Sequence, residues 1–404
     1  MRQARAKLKS FNKTEIMKIL LKNNSIYRAE ISRMTGLSIP TVMKITDELI
    51  QNGLVTEIGR GVSSGGKPPE MLQLIPNSRF FLGVDLRGKE YRCAVINLCG
   101  NILIKHCIAA IDTSKPENRG EKKIIQVLQE LIEQTLNRAG VDRNRVVGVG
   151  IGVPHPVDVK TGCIISSKEM EWDDFDIVTP LSEALNMPVM VENTAKVIAL
   201  AEKWFGEAVC EHNFAVISIG HGIGSAILID NEIYSGSNLM SGEIGHMVID
   251  VNGPICRCGN RGCLEMFASV SALIDYVRSE LKAGTSSILR NAVELDAKAI
   301  LHASEAGDTL AKGSLERMTD YLAVGIVNMV NLLDLNLVLL TGGIVEIYPE
   351  LCTRLNEKVN KLRGEYFGKR KISVKPLLVG SDIAMVGAAT LLIKRVVDSG
   401  GTLS

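Results

Sequence analysis

From residue 79 onward the chain writes one pattern twice, and that repetition restricts its fold more than any other feature. Arg79-Phe-Phe-Leu-Gly-Val-Asp85 reads as an apolar strand ending in a carboxylate, and Tyr91–Asn97 and Ile102–Ala110 as two more strands of an antiparallel meander. Lys122–Ala139 spaces Ile124, Ile125, Leu128, Leu131, Ile132 and Leu136 as the buried stripe of a helix. Val146–Val153 is an apolar strand ending at Pro154-His-Pro-Val-Asp158. Downstream, Asn213–Ser218, Ser225–Asp230 and a third strand segment, the apolar helix Thr319–Leu333 and the strand Leu335–Leu340 follow in the same order. Meander, helix and strand, repeated, is an internally duplicated α/β unit, which predicts two lobes with a ligand cleft between them.

The first eighty residues follow another rule. Residues 1–79 hold 13 Lys and Arg against 6 Asp and Glu, whereas the remainder is 33 against 39. A basic head on a mildly acidic body predicts that only the head meets a polyanion. Ile16, Ile19 and Leu20 sit at helical spacing behind Thr14 as a cap, and Arg28–Met34 is a second short helix stopped at Thr35-Gly36. A third helix starts behind Ser38 with Pro40 in its first turn, burying Val42, Ile45, Leu49 and Ile50 and leaving Ser38, Thr41, Lys44 and Asp47 outward. Two strands, Leu54–Arg60 and Glu70–Ile75, flank the tip Gly61-Val-Ser-Ser-Gly-Gly-Lys67-Pro-Pro. Helix, helix, glycine turn, capped helix and basic wing together predict a winged helix-turn-helix, with Ser38, Thr41, Lys44, Arg60 and Lys67 facing operator DNA. A small helical interaction module with solvated lysines is the plainer alternative, and the ordered set speaks against it.

The chain's start, MRQARAKLKSFNKTE, is basic without an apolar stretch behind it, and no run of 18 apolar residues occurs anywhere. No membrane span is expected, and the protein is expected to be cytoplasmic. A reducing compartment argues against a disulfide framework for nine cysteines. Cys93, Cys99, Cys107, Cys163, Cys210 and Cys352 are scattered among apolar neighbours and are expected to be buried or inert. The other three are clustered. Glu243-Ile-Gly-His246 precedes Cys256-Arg-Cys258-Gly-Asn-Arg-Gly-Cys263-Leu-Glu265, so one imidazole and three thiols lie within 18 residues. That donor set suits a closed tetrahedral zinc site made by His246, Cys256, Cys258 and Cys263.

The duplicated body, the winged head and the His-x9-Cys-x-Cys-x4-Cys segment together resemble the ROK family of repressors and sugar kinases, in its longer branch with an N-terminal DNA-binding domain. The resemblance covers nearly all of the chain and implies an actin/hexokinase-like α/β fold. It implies a winged helix-turn-helix over residues 1–78 and a sugar-binding domain over 79–404. Within the latter, a smaller lobe would span about 79–195 plus the C-terminal helix, and a larger lobe about 196–382. It further implies a structural zinc that stiffens the loop presenting Glu243, His246 and Glu265 to sugar hydroxyls, with Asn193 as a fourth sugar contact. A homodimer or tetramer on a palindromic operator, released by a small-molecule sugar, completes the expectation.

Against the family's kinases, three segments depart. Where they place the catalytic Asp after Asn, this chain has Val191-Glu-Asn193-Thr194, and a threonine hydroxyl is no base near neutral pH. The first phosphate loop is Asp85-Leu-Arg87-Gly88-Lys89-Glu90, with Arg87 in place of a glycine and Glu90 opposing a phosphate. The second, Gly220-His221-Gly222-Ile-Gly224, has His221 where the family favours Thr. His155 stands where the family has Gly, either reshaping the pocket or packing locally. The resemblance thus implies a repressor on a catalytically inactive kinase fold. A sugar lacking a primary hydroxyl, such as xylose, would be indifferent to the loss at Thr194. Two alternatives stand beside it: an ATP-dependent sugar kinase with an accessory head, and a constitutive DNA-binding protein whose body only dimerises.

Overall fold

The computed structural model describes residues 2–60, 70–112, 115, 120–167, 170–364, 370–377, 380 and 382–399. It divides into two compact units, Met1–Val209 with Asp382–Ser404, and Cys210–Ser381.

The first unit opens with the helix α1 (Arg2–Lys22), which runs through Thr14 rather than starting behind it. Thr14 caps nothing; its hydroxyl instead donates to Asp398 Oδ1 at 2.9 Å. After β1 (Ile26–Tyr27) come α2 (Arg28–Thr35), the turn at Gly36 with φ 69°, and α3 (Ile39–Gln51). Next are β2 (Val55–Arg60) and β3 (Glu70–Leu74), which pair antiparallel, with β1 on the outer edge of β3. Ile16, Met17, Leu20, Ile31, Val42, Ile45, Leu49, Leu54 and Leu72 form the buried interior of this head. Ile50 is only half-buried, and Thr46 takes its expected place in the core. A polar residue is tolerated there because its hydroxyl donates to Met43 O at 3.1 Å and accepts from Arg28 Nε at 3.0 Å. The wing tip expected at 61–69, Lys67 included, lies outside the described residues.

The same unit continues through β4 (Phe80–Asp85), β5 (Glu90–Asn97), β6 (Ile102–Ala109), α4 (Glu121–Ala139), β7 (Val146–Val153), β8 (Val157–Asp158), β9 (Cys163–Ser167), β10 (Trp172–Asp176), α5 (Val178–Leu185), β11 (Val189–Asn193) and α6 (Thr194–Phe205). Its main sheet has the order β11-β7-β4-β5-β6, parallel across β11, β7 and β4 and antiparallel beyond. β7 is paired on both sides and covered on both faces, so its apolar run is nearly continuous. β6 lies at the edge and alternates half-buried with exposed residues, which brings Cys107 to the surface rather than into the core. Cys210 is also exposed, and Cys99 and Cys163 are half-buried, so burial holds only for Cys93 and Cys352 among those six.

Leu82, Val84, Val149 and Ile151 face a core shared with α4. The alternate residues Gly83 and Gly150 face the C-terminal helix Ile383–Ser399. A Cβ on either would sit 1.9 or 1.8 Å from the carbonyl oxygen of Met385 or Ala388. Glycine at these two positions lets helix backbone lie directly on sheet backbone.

The second unit repeats the plan: β12 (Phe214–Ile219), β13 (Ile223–Ile229), β14 (Glu232–Ile233), α7 (Glu265–Ala268), α8 (Val270–Lys282), α9 (Ala297–Glu305), α10 (Thr309–Leu333), β15 (Leu337–Thr341), α11 (Gly343–Ile347), α12 (Glu350–Arg363) and β16 (Ser373–Pro376). Its sheet order, β14-β13-β12-β15-β16, has the same sequence of antiparallel and parallel pairs. α10 starts ten residues before the expected Thr319, because the Asp308 carboxylate caps it by accepting from the Ala311 N–H. The C-terminal helix, α13 (Ile383–Ser399), returns to the first unit, where it packs on β4, β7, α6 and α1.

Candidate functional site

Five sets of residues carry chemistry, three in the first unit and two in the second. On the head, Ser38 sits exposed at the start of α3, its hydroxyl 2.9 Å from that of Thr41. Thr41 is half-buried and Lys44 exposed, while Arg60 closes β2 with its backbone opposite Glu70. Asp47 is exposed but not idle. Arg28 Nη2 donates to Asp47 Oδ1 at 2.9 Å and to Glu57 Oε1 at 2.8 Å. Arg28 therefore ties α2, α3 and β2 into one rigid reader, a role that sequence spacing alone did not assign to it.

At the end of the first unit's sheet, Asn193 caps α6: its Oδ1 accepts from the Ala195 N–H at 2.9 Å, and its Nδ2 donates to His155 O at 3.1 Å. One amide hydrogen and one lone pair remain for a ligand. The His155 ring meets Trp172 edge-on at 6.2 Å, and both line a cavity of about 110 Å³ with Tyr91, Ile124 and Met170. His155 thus both packs locally and shapes a pocket wall. Thr194 is buried, and its hydroxyl has no hydrogen-bond partner among the described residues.

The first phosphate loop is filled from within. Asp85 is fully buried; its Oδ1 accepts from the Arg87 N–H at 3.1 Å and Arg87 Nε at 3.0 Å. Oδ2 accepts from Arg87 Nη2 at 3.1 Å and Arg92 Nη2 at 2.6 Å. Four donors saturate the carboxylate, and the fork of Arg87 occupies the place that a glycine would leave open. Arg92 was not picked out from the sequence, although the β4–β5 register that sets Asp85 opposite Arg92 is the signal that would have found it.

In the second unit a 3-10 turn, Ile244–His246, presents His246, and two bridges, Val248 to Cys263 and Ile255 to Arg261, fold the following loop back on itself. Ligand atoms of His246, Cys256, Cys258 and Cys263 all lie within 4.8 Å of one another. Cys256 Sγ is 3.6 Å from His246 Nδ1, and Cys258 Sγ is 3.6 Å from Cys263 Sγ. Tetrahedral zinc would require about 3.6 Å between thiolate and imidazole nitrogen and about 3.8 Å between thiolates, given its bond lengths. The donor set therefore fits the ion. Without a metal, burial pushes the Cys256 thiol up to about 12 and raises Cys263, while the Asn260 N–H lowers Cys258.

Glu265, one residue beyond Cys263 and Leu264, is buried at the start of α7; its Oε1 lies 3.8 Å from His246 Nδ1 and accepts from the Cys256 thiol at 3.2 Å. Arg257 Nε reaches the same oxygen at 3.3 Å. Glu243 is exposed, with Oε2 4.0 Å from His246 Nε2. The structure thus brings Glu243, His246 and Glu265 together beside the thiols. The second glycine loop adjoins them: a Cβ on Gly222 would meet Glu265 Oε2 and Arg257 Nη2, each at 2.9 Å, and His221 Nδ1 faces Ser271 Oγ at 3.3 Å.

A winged helix-turn-helix joined to two five-stranded sheets of identical strand order, with a cluster of one histidine and three cysteines in the second unit, defines a sugar-kinase-like fold that carries a DNA-binding head. The chain belongs to the ROK family, whose model matches residues 81–395, and a winged helix-turn-helix DNA-binding model matches residues 12–56. The xylose repressor of Bacillus subtilis (strain 168) is 30% identical over 391 residues, covering 97% of each chain. A glucokinase of Thermotoga maritima is 29% identical over 321 residues, covering 78% of this chain and 98% of its own. Among solved structures, a ROK family transcriptional regulator described as a homologue of the E. coli MLC protein aligns with a TM-score of 0.81 at 28% identity, covering 98% of both chains. Among the described residues, no helix is long and apolar enough to cross a membrane.

Proposed function

We propose that the protein is a sugar-responsive transcriptional repressor whose kinase-like body binds a sugar without phosphorylating it. The observation that carries this reading is the saturated Asp85 carboxylate, held by Arg87 and Arg92 where a kinase would keep an open phosphate loop. The absence of a base at Thr194 agrees with it, since removing such a group lowers rates by about 10²–10⁴-fold. The sugar-facing groups are kept. Glu243, His246 and Glu265 offer acceptors and donors in fixed directions, as hydroxyl recognition requires, and Asn193 supplies a further amide.

In this reading His246, Cys256, Cys258 and Cys263 hold a structural zinc, which would fix the loop bearing Glu243 and Glu265. Ser38, Thr41, Lys44, Arg60 and Lys67 meet operator DNA, and a homodimer or tetramer places two heads on a palindrome. Sugar binding in the body lowers the affinity of the heads, and DNA must then lower sugar affinity by the same factor. The experiment is a fluorescence anisotropy titration of operator duplex across a panel of pentoses, hexoses and amino sugars. At least one sugar should weaken binding tenfold or more, and indifference to all of them would remove the reading. The likeness to a glucokinase supports a second reading, an ATP-dependent kinase with an accessory head. Sugar-dependent ADP release in a coupled assay would establish it instead.

A further inference from the structure

The outward face of α3 carries an apolar strip at its entry turns, where a DNA reader is expected to be polar. Four large apolar side chains are exposed among the described residues of the head: Phe11, Met34, Ile39 and Met43. Three of them fall within ten residues around the Gly36 turn, with Met34 55%, Ile39 41% and Met43 46% accessible. Ile39 and Met43 are four residues apart and share one face of the helix. Pro40 and Lys44 are exposed beside them, and Asp47, the next group along, is held by Arg28. A lone exposed apolar residue needs no explanation, but a strip along the entry turns of a recognition helix does.

The available donors narrow what that strip can read. Residues 38–47 contain no Arg, Asn or Gln, so the bidentate readers of guanine by Arg and of adenine by Asn or Gln are missing from the first two turns. Ser38 and Thr41 are turned toward each other, their hydroxyl oxygens 2.9 Å apart. What remains for base discrimination is Lys44, the one hydroxyl proton that the Ser38–Thr41 pair leaves free, and apolar contact, and the one apolar group on the major-groove edge of DNA is the 5-methyl of thymine. The net charge of +7 over residues 1–79 favours DNA as the occupant of this face.

We propose that Ile39 and Met43 read thymine 5-methyl groups, so that each operator half-site carries thymines facing the first two turns of α3. This rests on the DNA-binding reading above and adds the base class that the helix selects. The test starts with the full-length, zinc-loaded protein and a randomised duplex pool, from which bound sequences are recovered. The best duplex is then made with each dT replaced singly by dU, which deletes one methyl and leaves base pairing and phosphates intact. Each contacted position should bind about fourfold more weakly, the equivalent of about 0.8 kcal/mol for one methyl-sized group. Met43→Ala should erase the dT–dU difference at its position, while Met43→Leu, apolar and of similar volume, should retain at least half of it.

A duplex whose dU versions all bind within 1.5-fold of the dT parent would overturn the proposal. So would a Met43→Ala protein whose change is in sedimentation rather than in the dT–dU difference, since the strip would then be an interface between two copies of the chain. Recovery of no sequence above background would remove the DNA-binding reading itself and this proposal with it.

Discussion

Gly387 sits where α13 crosses α6, the helix that begins immediately after Asn193. A Cβ at Gly387 would lie 1.9 Å from Val197 O and 2.4 Å from Val197 C, both main-chain atoms of α6. No rotamer change relieves a clash with backbone. The helices must part by about 1 Å, and a gap of that size forfeits a quarter to a half of the dispersion attraction across their interface. Gly387→Ala is therefore expected at the upper end of overpacking, with about 3 kcal/mol of stability lost. At a urea dependence of about 2 kcal/mol per M, the midpoint should fall by about 1.5 M. The chain supplies its own probe: its two tryptophans, Trp172 and Trp204, are both buried in the first unit, so fluorescence excited at 295 nm follows that unit alone. Gly313→Ala, on an exposed turn of α10 in the second unit with nothing within 4 Å, is the control: it should leave the tryptophan transition of the first unit where it is and, followed by circular dichroism, be neutral or stabilising by up to about 1 kcal/mol. A Gly387→Ala midpoint within 0.3 M of wild type would refute the packing argument, because it would mean that the two helices carry slack.

Thr194→Asp, alone or with Arg87→Gly, should yield no sugar-dependent ADP in a coupled assay, because Arg92 still holds Asp85; turnover above 1% of a ROK glucokinase would contradict this. Lys44→Ala should weaken operator binding and reduce the slope of log K against log salt by about 0.9 for one lost phosphate contact, whereas an unchanged slope would place Lys44 off the backbone. Elemental analysis should find one zinc per chain, and Cys263→Ser should lose it and blunt the sugar response while the head still binds DNA. In zinc-loaded protein, where Cys258 would be held by the metal, a thiol reagent should label Cys107 and Cys210 first and spare Cys93, which burial pushes up to about 12, and Cys352, pushed up to about 11. Early labelling of Cys93 would show that the α4 side of the sheet opens readily.

The duplicated body could be read because period-2 strands and the 3.6-residue stripe of α4 each leave a local signature. β7 was legible to the residue, since a strand buried on both faces is an unbroken apolar run. α10 was found only from Thr319, because Lys312, Gly313, Glu316 and Arg317 interrupt the apolar positions of its first ten residues and its start depends on the local cap at Asp308. The cluster of His246 with the three cysteines announced itself by residue type, and the fold then closed it to thiol and imidazole contacts of 3.6 Å. Other contacts left no local trace. Thr14 looked like a cap until Asp398, 384 residues away, took its hydroxyl. Arg92 became a partner of Asp85 only through strand register, and the exposure of Ile39 and Met43 followed from which face of α3 the head buries. Long-range pairings of this kind are set by topology, which spacing along the chain does not encode.

The helix α13 also bears on how the protein is made. Met385 and Ala388 close the exposed face of β4 and β7, and α13 touches α1 of the head, so the first unit lacks a wall until residues 383–399 exist. The whole second unit, 172 residues from Cys210 to Ser381, is synthesised in between. At translation rates of about 5–20 residues per second, the nascent sheet waits roughly 9–34 s with one apolar face uncovered. A premature stop that removes Met385 and Ala388 should therefore yield insoluble protein rather than a weakened regulator. In the cell, this is a molecule for which ribosome speed and chaperone supply matter during the second half of its synthesis.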